Sequence, residues 1–316
     1  HKVLTSLGLS GGPIVNVEAG CASGGAALIL GAGQVASGQA DTVLVFGMEK
    51  MPRGMIRSSF FEPWREEAGL TPAPAYFALR AQRLMRESDV HLEDLARVSV
   101  TYHRHGVENP NAMYRKPVTV EEVLKSRMIA DPITLLMTCP MGDGGAAVLI
   151  GTKEMAQKMG KRPVKIATAT LGSFGYTRKD EPGIVARVSS QAYKEAGIKP
   201  KDVQVAEVHD AVAPVELFLY EELGFCGAGE SGRLIDDGVT WLGGKLPVNP
   251  SGGLSAKGHP AGATGLAQVA EIVWQMRGEA GERQMNPAPN IGLVENGGGN
   301  VAGETAVVAV QILTAA

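Results

Sequence analysis

One cysteine and two histidines, each set beside a glycine-rich turn or at the end of an apolar run, carry the chemistry that this chain can do. Cys21 stands in Asn16-Val17-Glu18-Ala19-Gly20-Cys21-Ala22-Ser23-Gly24-Gly25, where the apolar run Ile14 to Val17 stops and a long Ala/Gly-rich helical pattern begins. A thiol at a strand-to-helix junction meets the positive end of the helix dipole and unpaired N–H groups, both of which favour thiolate over thiol. The small residues after it leave space for a substrate to reach the sulfur. His259 lies in Asn249-Pro250-Ser251-Gly252-Gly253-Leu254-Ser255-Ala256-Lys257-Gly258-His259-Pro260-Ala261-Gly262-Ala263-Thr264-Gly265, again just before a helical pattern. His209, in Glu207-Val208-His209-Asp210-Ala211-Val212, ends the apolar run Val203 to Val208. One thiol and two imidazoles from three separated loops suit thiolate activation combined with oxyanion stabilisation.

The elements that must bring these loops together follow from periodicity. A buried strand is expected at 14–17, a helix over about 22–37 and a strand at 42–46. Residues 51–138 interrupt this rhythm with Pro52, Pro63, Pro72 and Pro74, and with helix patterns near 75–88, 92–103 and 120–126. They read as an inserted subdomain covering the site. A strand at 146–150 follows, and residues 151–163 look like a crossover. Beyond it the outline repeats: strands at 165–170, 203–208 and 291–294, helices at 185–196, 214–223 and 266–277, and a last apolar strand at 306–310. In this internal pairing Cys21 and His259 hold equivalent places, each opening the helix before a strand. An approximate two-fold axis would bring both helix starts to one centre.

The chain resembles the thiolase family, and within it the sterol-carrier-protein-type and archaeal-like branch. The matching residues are Cys21-Ala22-Ser23-Gly24, Gly47-Met48-Glu49-Lys50-Met51, Ser126-Arg127-Met128-Ile129-Ala130-Asp131-Pro132, Cys139-Pro140-Met141-Gly142-Asp143-Gly144, His209-Asp210-Ala211 and the block from Asn249 to Gly265, in order along essentially the whole chain. The resemblance implies an α/β fold of five layers, α/β/α/β/α, with two pseudo-symmetric lobes and an inserted loop subdomain. The expected division is a partial N-terminal lobe at 1–160, with the insertion at about 51–138, and a C-terminal lobe at 161–316. Family members carry a further strand and helices ahead of the nucleophile, so the resemblance also implies that such a segment is lacking here.

For function, the resemblance implies an acyl-CoA C-acyltransferase that forms or cleaves 3-oxoacyl-CoA through an acyl-Cys21 intermediate, with coenzyme A thioester as substrate and no other cofactor. His259 would take the thiol proton. His209 would donate to the thioester oxygen, helped by Asn249 or a water, and the N–H groups of Cys21 and Gly297 would hold the second oxyanion. Such a donor contributes about 3 kcal/mol in the transition state. The chain departs from the family pattern at Glu18, where Asn is common, and at Val212, where an aromatic is usual and a reshaped acyl pocket would follow. The family's second cysteine is absent too. Its place near the C-terminus reads Glu295-Asn296-Gly297-Gly298-Gly299, so Glu295 is either the acid/base or a carboxylate paired with a neighbouring cation. Rival readings are a thiolase-like aldolase acting on a side-chain CoA ester and a non-catalytic acyl-CoA-binding subunit. A homodimer is expected, and a small zinc-containing OB-fold partner would fit the unusual C-terminal turn.

Composition sets the bounds. The 316 residues are 44% hydrophobic, enough for a sizeable core, and 41 are glycine, as many tight strand-to-helix junctions require. A net charge of −3 gives no reason to expect nucleic acid. Three cysteines make no disulfide framework, which points to a reducing, cytoplasmic compartment, while a role in lipid metabolism is what the thiolase resemblance implies. The apolar stretch 28–45 is broken by Gln34, Ser37, Gln39 and Asp41, so no membrane span is expected. Cys139 and Cys226 are expected to be structural, with no Cys or His at metal-ligand spacing and hence no metal. Arg104, His105, Arg115 and Lys116 read as a solvated face, with coenzyme A phosphates as the alternative.

Overall fold

The structure, a computed structural model, describes residues 2–51, 63–68, 73–175, 181–301 and 304–316. Pro52 and Pro72 of the insertion lie outside the described residues. In chain order the elements begin with α1 (Lys2–Ser6), α2 (Ser23–Ala36) and β1 (Thr42–Glu49). The insertion then contributes α3 (Pro63–Glu67), α4 (Ala73–Glu87), α5 (Leu92–Val107), α6 (Val120–Lys125) and the short pair β2 (Met128–Ala130) and β3 (Ile133–Thr134). Next come β4 (Gly144–Gly151), α7 (Lys153–Lys158), β5 (Val164–Ser173), α8 (Ile184–Ala196), β6 (Val205–Glu207), α9 (Ala213–Glu222) and α10 (Ser231–Asp236). The chain finishes with α11 (Gly253–Lys257), α12 (Ala261–Arg277), β7 (Ile291–Val301) and β8 (Glu304–Ala315).

β1 and β4 pair antiparallel, with Leu44 opposite Leu149 and Phe46 opposite Ala147. The second sheet runs β5-β8-β7-β6, antiparallel except for the parallel β6/β7 pair. Helices α2 and α12 lie between the two sheets, and both touch both of them. Their shared core joins Leu28 of α2, Val45 and Ile150 of the first sheet, Leu266, Val269 and Ile272 of α12, and Val205, Val294 and Leu313 of the second sheet. Leu266, Val269, Ile272 and Met276 recur at helical spacing, while Gly265, Gln268, Glu271 and Gln275 are buried as well, as befits a helix covered on several sides. A second, larger core joins the insertion helices α4, α5 and α6 to α8, α9 and the far face of the β5-β8-β7-β6 sheet.

The internal repeat is visible in these pairings. α2 precedes the antiparallel pair β1/β4 as α12 precedes the antiparallel pair β7/β8, and Cys21 and His259 each lie two positions ahead of their helix, at Ser23 and Ala261. One expectation fails: residues 14–17 form no strand, and Val15 is 76% exposed. A strand needs a neighbour for its N–H and C=O groups, and no described residue pairs with this run. The outer face of the β1/β4 pair is likewise uncovered among the described residues, with Leu44, Phe46, Met48 and Leu149 exposed.

The two central helices approach through glycine. A Cβ on Gly265 would sit 2.3 Å from Asn296 Oδ1 and 2.7 Å from the backbone N of Gly25, closer than packed atoms allow. Gly265→Ala is therefore expected to push α12 away from α2, lowering stability by about 1–3 kcal/mol in urea unfolding.

Candidate active site

Cys21 is placed by a tight turn in which Gly20 adopts φ 58°. A Cβ there would also crowd Gly299 N at 3.1 Å, so the turn needs glycine for conformation and for space. Glu18 braces the turn by accepting from Gly20 N at 2.7 Å, which gives this departure from the family pattern a structural role. Across the α2/α12 junction, Cys21 Sγ lies 3.2 Å from His259 Nε2. His209 Nε2 lies 3.4 Å from the same nitrogen, and the two rings meet edge to face. Three separate loops, two of them 238 residues apart in sequence, thus converge as expected.

The hydrogen bonds assign the tautomer of His259. The Thr264 hydroxyl donates its single hydrogen to Pro260 O at 3.0 Å. Its oxygen is left to accept from His259 Nδ1–H, at 2.8 Å. The lone pair of His259 then sits on Nε2 and faces the sulfur, the arrangement a general base requires. Thr264 went unnoticed in the sequence, although it stands five residues after His259 in the same glycine-rich block.

Burial corrects the expected charge state. The Cys21 thiol is pushed up to about 11 by desolvation, against the lowering effect of backbone N–H groups from Cys21 itself and Gly299, while Glu49 and Glu18 raise it further. Burial also lowers His209 to about 4 and takes His259 well below its ordinary value. The resting pair is a neutral thiol beside a neutral imidazole, because the packing around them penalises both charges more than the helix start rewards the anion.

Other expected roles shift as well. The N–H directed at the sulfur belongs to Gly299, whereas Gly297 stands beside Glu295 Oε1 and the His209 ring. Asn249 is fully buried at φ 51° with both amide ends occupied: Oδ1 accepts from Val208 N at 2.8 Å and Nδ2 donates to Glu216 at 2.7 Å. It fixes the strand end that carries His209, with one of its two amide N–H groups committed to Glu216. Glu216 also takes the hydroxyls of Tyr102 and Tyr220, so a buried polar knot lies under the His209 loop. Asp210 accepts from Leu254 N and ties that loop to α11. Val212 packs in the core and is bridged to Thr138.

Glu295 lies beside the His209 loop. It is 1% exposed, its Oε2 accepts from His209 N at 3.0 Å, and desolvation raises its carboxyl to about 8. Cys139 donates its N–H to Ala211 O beside the His209 loop, and its thiol is pushed up to about 12 by burial, with Asp210 and Cys21 adding to the effect. His105 is buried and structural, donating from Nδ1 to Asn249 O and accepting at Nε2 from Leu242 N. Arg104 stacks on Trp241.

The sequence matches the description "Thiolase, N-terminal domain" over residues 2–154 and "Thiolase C-terminal domain-like" over residues 182–311. An acetyl-CoA acetyltransferase of Methanothermobacter thermautotrophicus is 43% identical, over 95% of this chain and 80% of its own length. The chain belongs to the thiolase family. Sterol carrier protein 2 of Oryctolagus cuniculus is 37% identical over 94% of this chain, which spans 58% of that protein. Among solved structures, the "Ltp2-ChsH2(DUF35) aldolase" superposes with a TM-score of 0.84 at 29% identity, covering 99% of this chain and 83% of the other. This thiolase therefore has a relative named as an acetyltransferase and a structural neighbour named as an aldolase.

The raised Glu295 carboxyl has a testable consequence. Below the ordinary carboxylate range it is protonated in folded and unfolded chains alike; from there to about 8 only the folded chain keeps the proton. Stability contributed by the neutral form is thus lost as pH rises through that window. In Glu295→Gln, the fall of unfolding free energy with pH should be shallower by up to about 1.4 kcal/mol per pH unit, measured by urea titration at a series of pH values.

Proposed function

We propose that this thiolase is an acyl-CoA C-acyltransferase, forming or cleaving 3-oxoacyl-CoA through an acyl-Cys21 intermediate. The observation that carries the reading is the 3.2 Å contact between Cys21 Sγ and the unprotonated nitrogen of His259, oriented by Thr264. Because the resting pair is neutral, the thiol proton passes to His259 Nε2 as the sulfur attacks the thioester carbonyl. The N–H groups of Cys21 and Gly299 hold the developing oxyanion. His259 then returns its proton to the departing coenzyme A sulfur, leaving the acyl group on Cys21.

In the second half-reaction His209 Nε2 donates to the thioester oxygen of the incoming acyl-CoA, which carries the enolate charge. Glu295, with its carboxyl near 8 and its place beside His209, moves the proton at the α-carbon. In the degradative direction the same groups serve free coenzyme A. A homodimer, and a further subunit as the two-part name of the aldolase neighbour suggests for that protein, fit a chain with an uncovered apolar sheet face. No described helix is long and apolar enough to cross a membrane.

The aldolase reading has its own support in that structural neighbour, whereas the presence of Cys21 against a general base favours acyl transfer. Incubation with acetyl-CoA, digestion and mass measurement of the Cys21 peptide separates them. An acetyl adduct is expected, absent in Cys21→Ser, with His259→Ala slowing its formation about 10²–10⁴-fold. Thioester turnover to an aldehyde or ketone with no adduct would establish the aldolase instead.

A further inference from the structure

Cys21, His209 and His259 each offer a ligand atom within 4.8 Å of the others, a cluster that spacing along the chain does not reveal. Zinc binds thiolate at about 2.3 Å and imidazole at about 2.0–2.1 Å in a tetrahedron, which sets ligand separations near 3.3–3.6 Å. The two imidazole nitrogens are 3.4 Å apart and the sulfur is 3.2 Å from His259, so tenths of an ångström separate these pairs from a coordination sphere. His259 is already oriented as metal-binding histidines are, its other nitrogen donating to a hydroxyl that is itself fixed. The donor set is one sulfur and two nitrogens with no carboxylate, which selects borderline-soft ions over magnesium or calcium. Cys21 and His209 are partly exposed, giving an ion a way in.

We propose that these three side chains form a zinc-type site with its fourth position open to water, and that the ion reversibly silences the nucleophile. On binding, the thiol gives its proton to solvent, the sulfur lone pair forms the metal bond, and the hydrated ion releases the waters it loses. Silencing rests on the acyltransferase reading; binding does not.

Titrating the metal-free, reduced full chain with Co²⁺ alone tests the site. One equivalent should produce a thiolate-to-cobalt charge-transfer band, removed by one equivalent of Zn²⁺. Cys21→Ser should abolish the band, Thr264→Val should weaken affinity about 10–100-fold, and Cys226→Ser should leave it unchanged. On the unmodified chain, Zn²⁺ should protect Cys21 from iodoacetamide until a chelator is added, a readout that needs no variant to fold. A band that survives Cys21→Ser, no band at all, or alkylation of Cys21 unaffected by Zn²⁺ would overturn the proposal. Cobalt binding without an acetyl adduct would instead count against acyl transfer alone.

Discussion

The close approach of the α2 and α12 starts is the constraint on which everything else depends. Cys21 and His259 come from opposite halves of an internal repeat, and they touch because glycines at the crossing let two helices pack backbone to backbone between the sheets. The shared core of Leu28, Val45, Leu266, Ile272 and Val294 holds that crossing in place. Precision at the sulfur is therefore a property of the core.

The same packing sets the electrostatics. Enclosure that fixes the two side chains also strips them of water, and desolvation outweighs the pull of the helix start on the thiol. Neutral partners avoid the cost of a buried ion pair in the resting state, and charge need appear only while an acyl group is being transferred. Glu295 follows the same logic beside the His209 loop, where burial keeps a carboxyl protonated until pH approaches 8. The knot of Glu216, Tyr102, Tyr220 and Asn249 is the structural counterpart, a polar cluster whose members satisfy one another beneath the loop.

Much of this was legible in the residues. Apolar periodicity located α2, α4, α8, α9, α12 and the main strands, and the matched positions of Cys21 and His259 pointed to their meeting. The short pair β2/β3 and the helices α10 and α11 escaped notice because a few residues carry too little periodicity. The run 14–17 has strand composition but no described partner, and composition alone cannot supply one. At the site, the types of Cys21, His209, His259 and Glu295 were readable, whereas the second bond of each polar group was not. Asn249 reads as an oxyanion donor in the sequence, whereas its bonds to Val208 and Glu216, which brace the His209 loop, depend on packing that the sequence does not display. The thiolate expected from the helix start gave way to a thiol because burial depends on packing from the whole chain.

The central claim, a neutral thiol held against the free nitrogen of His259, is tested most directly by the rate of Cys21 alkylation as a function of pH, followed on the isolated Cys21 peptide. The rate should be low near neutrality and climb with the thiolate fraction toward about 11. A rate already at its plateau below pH 7 would mean a preformed thiolate–imidazolium pair and would contradict this account of the site.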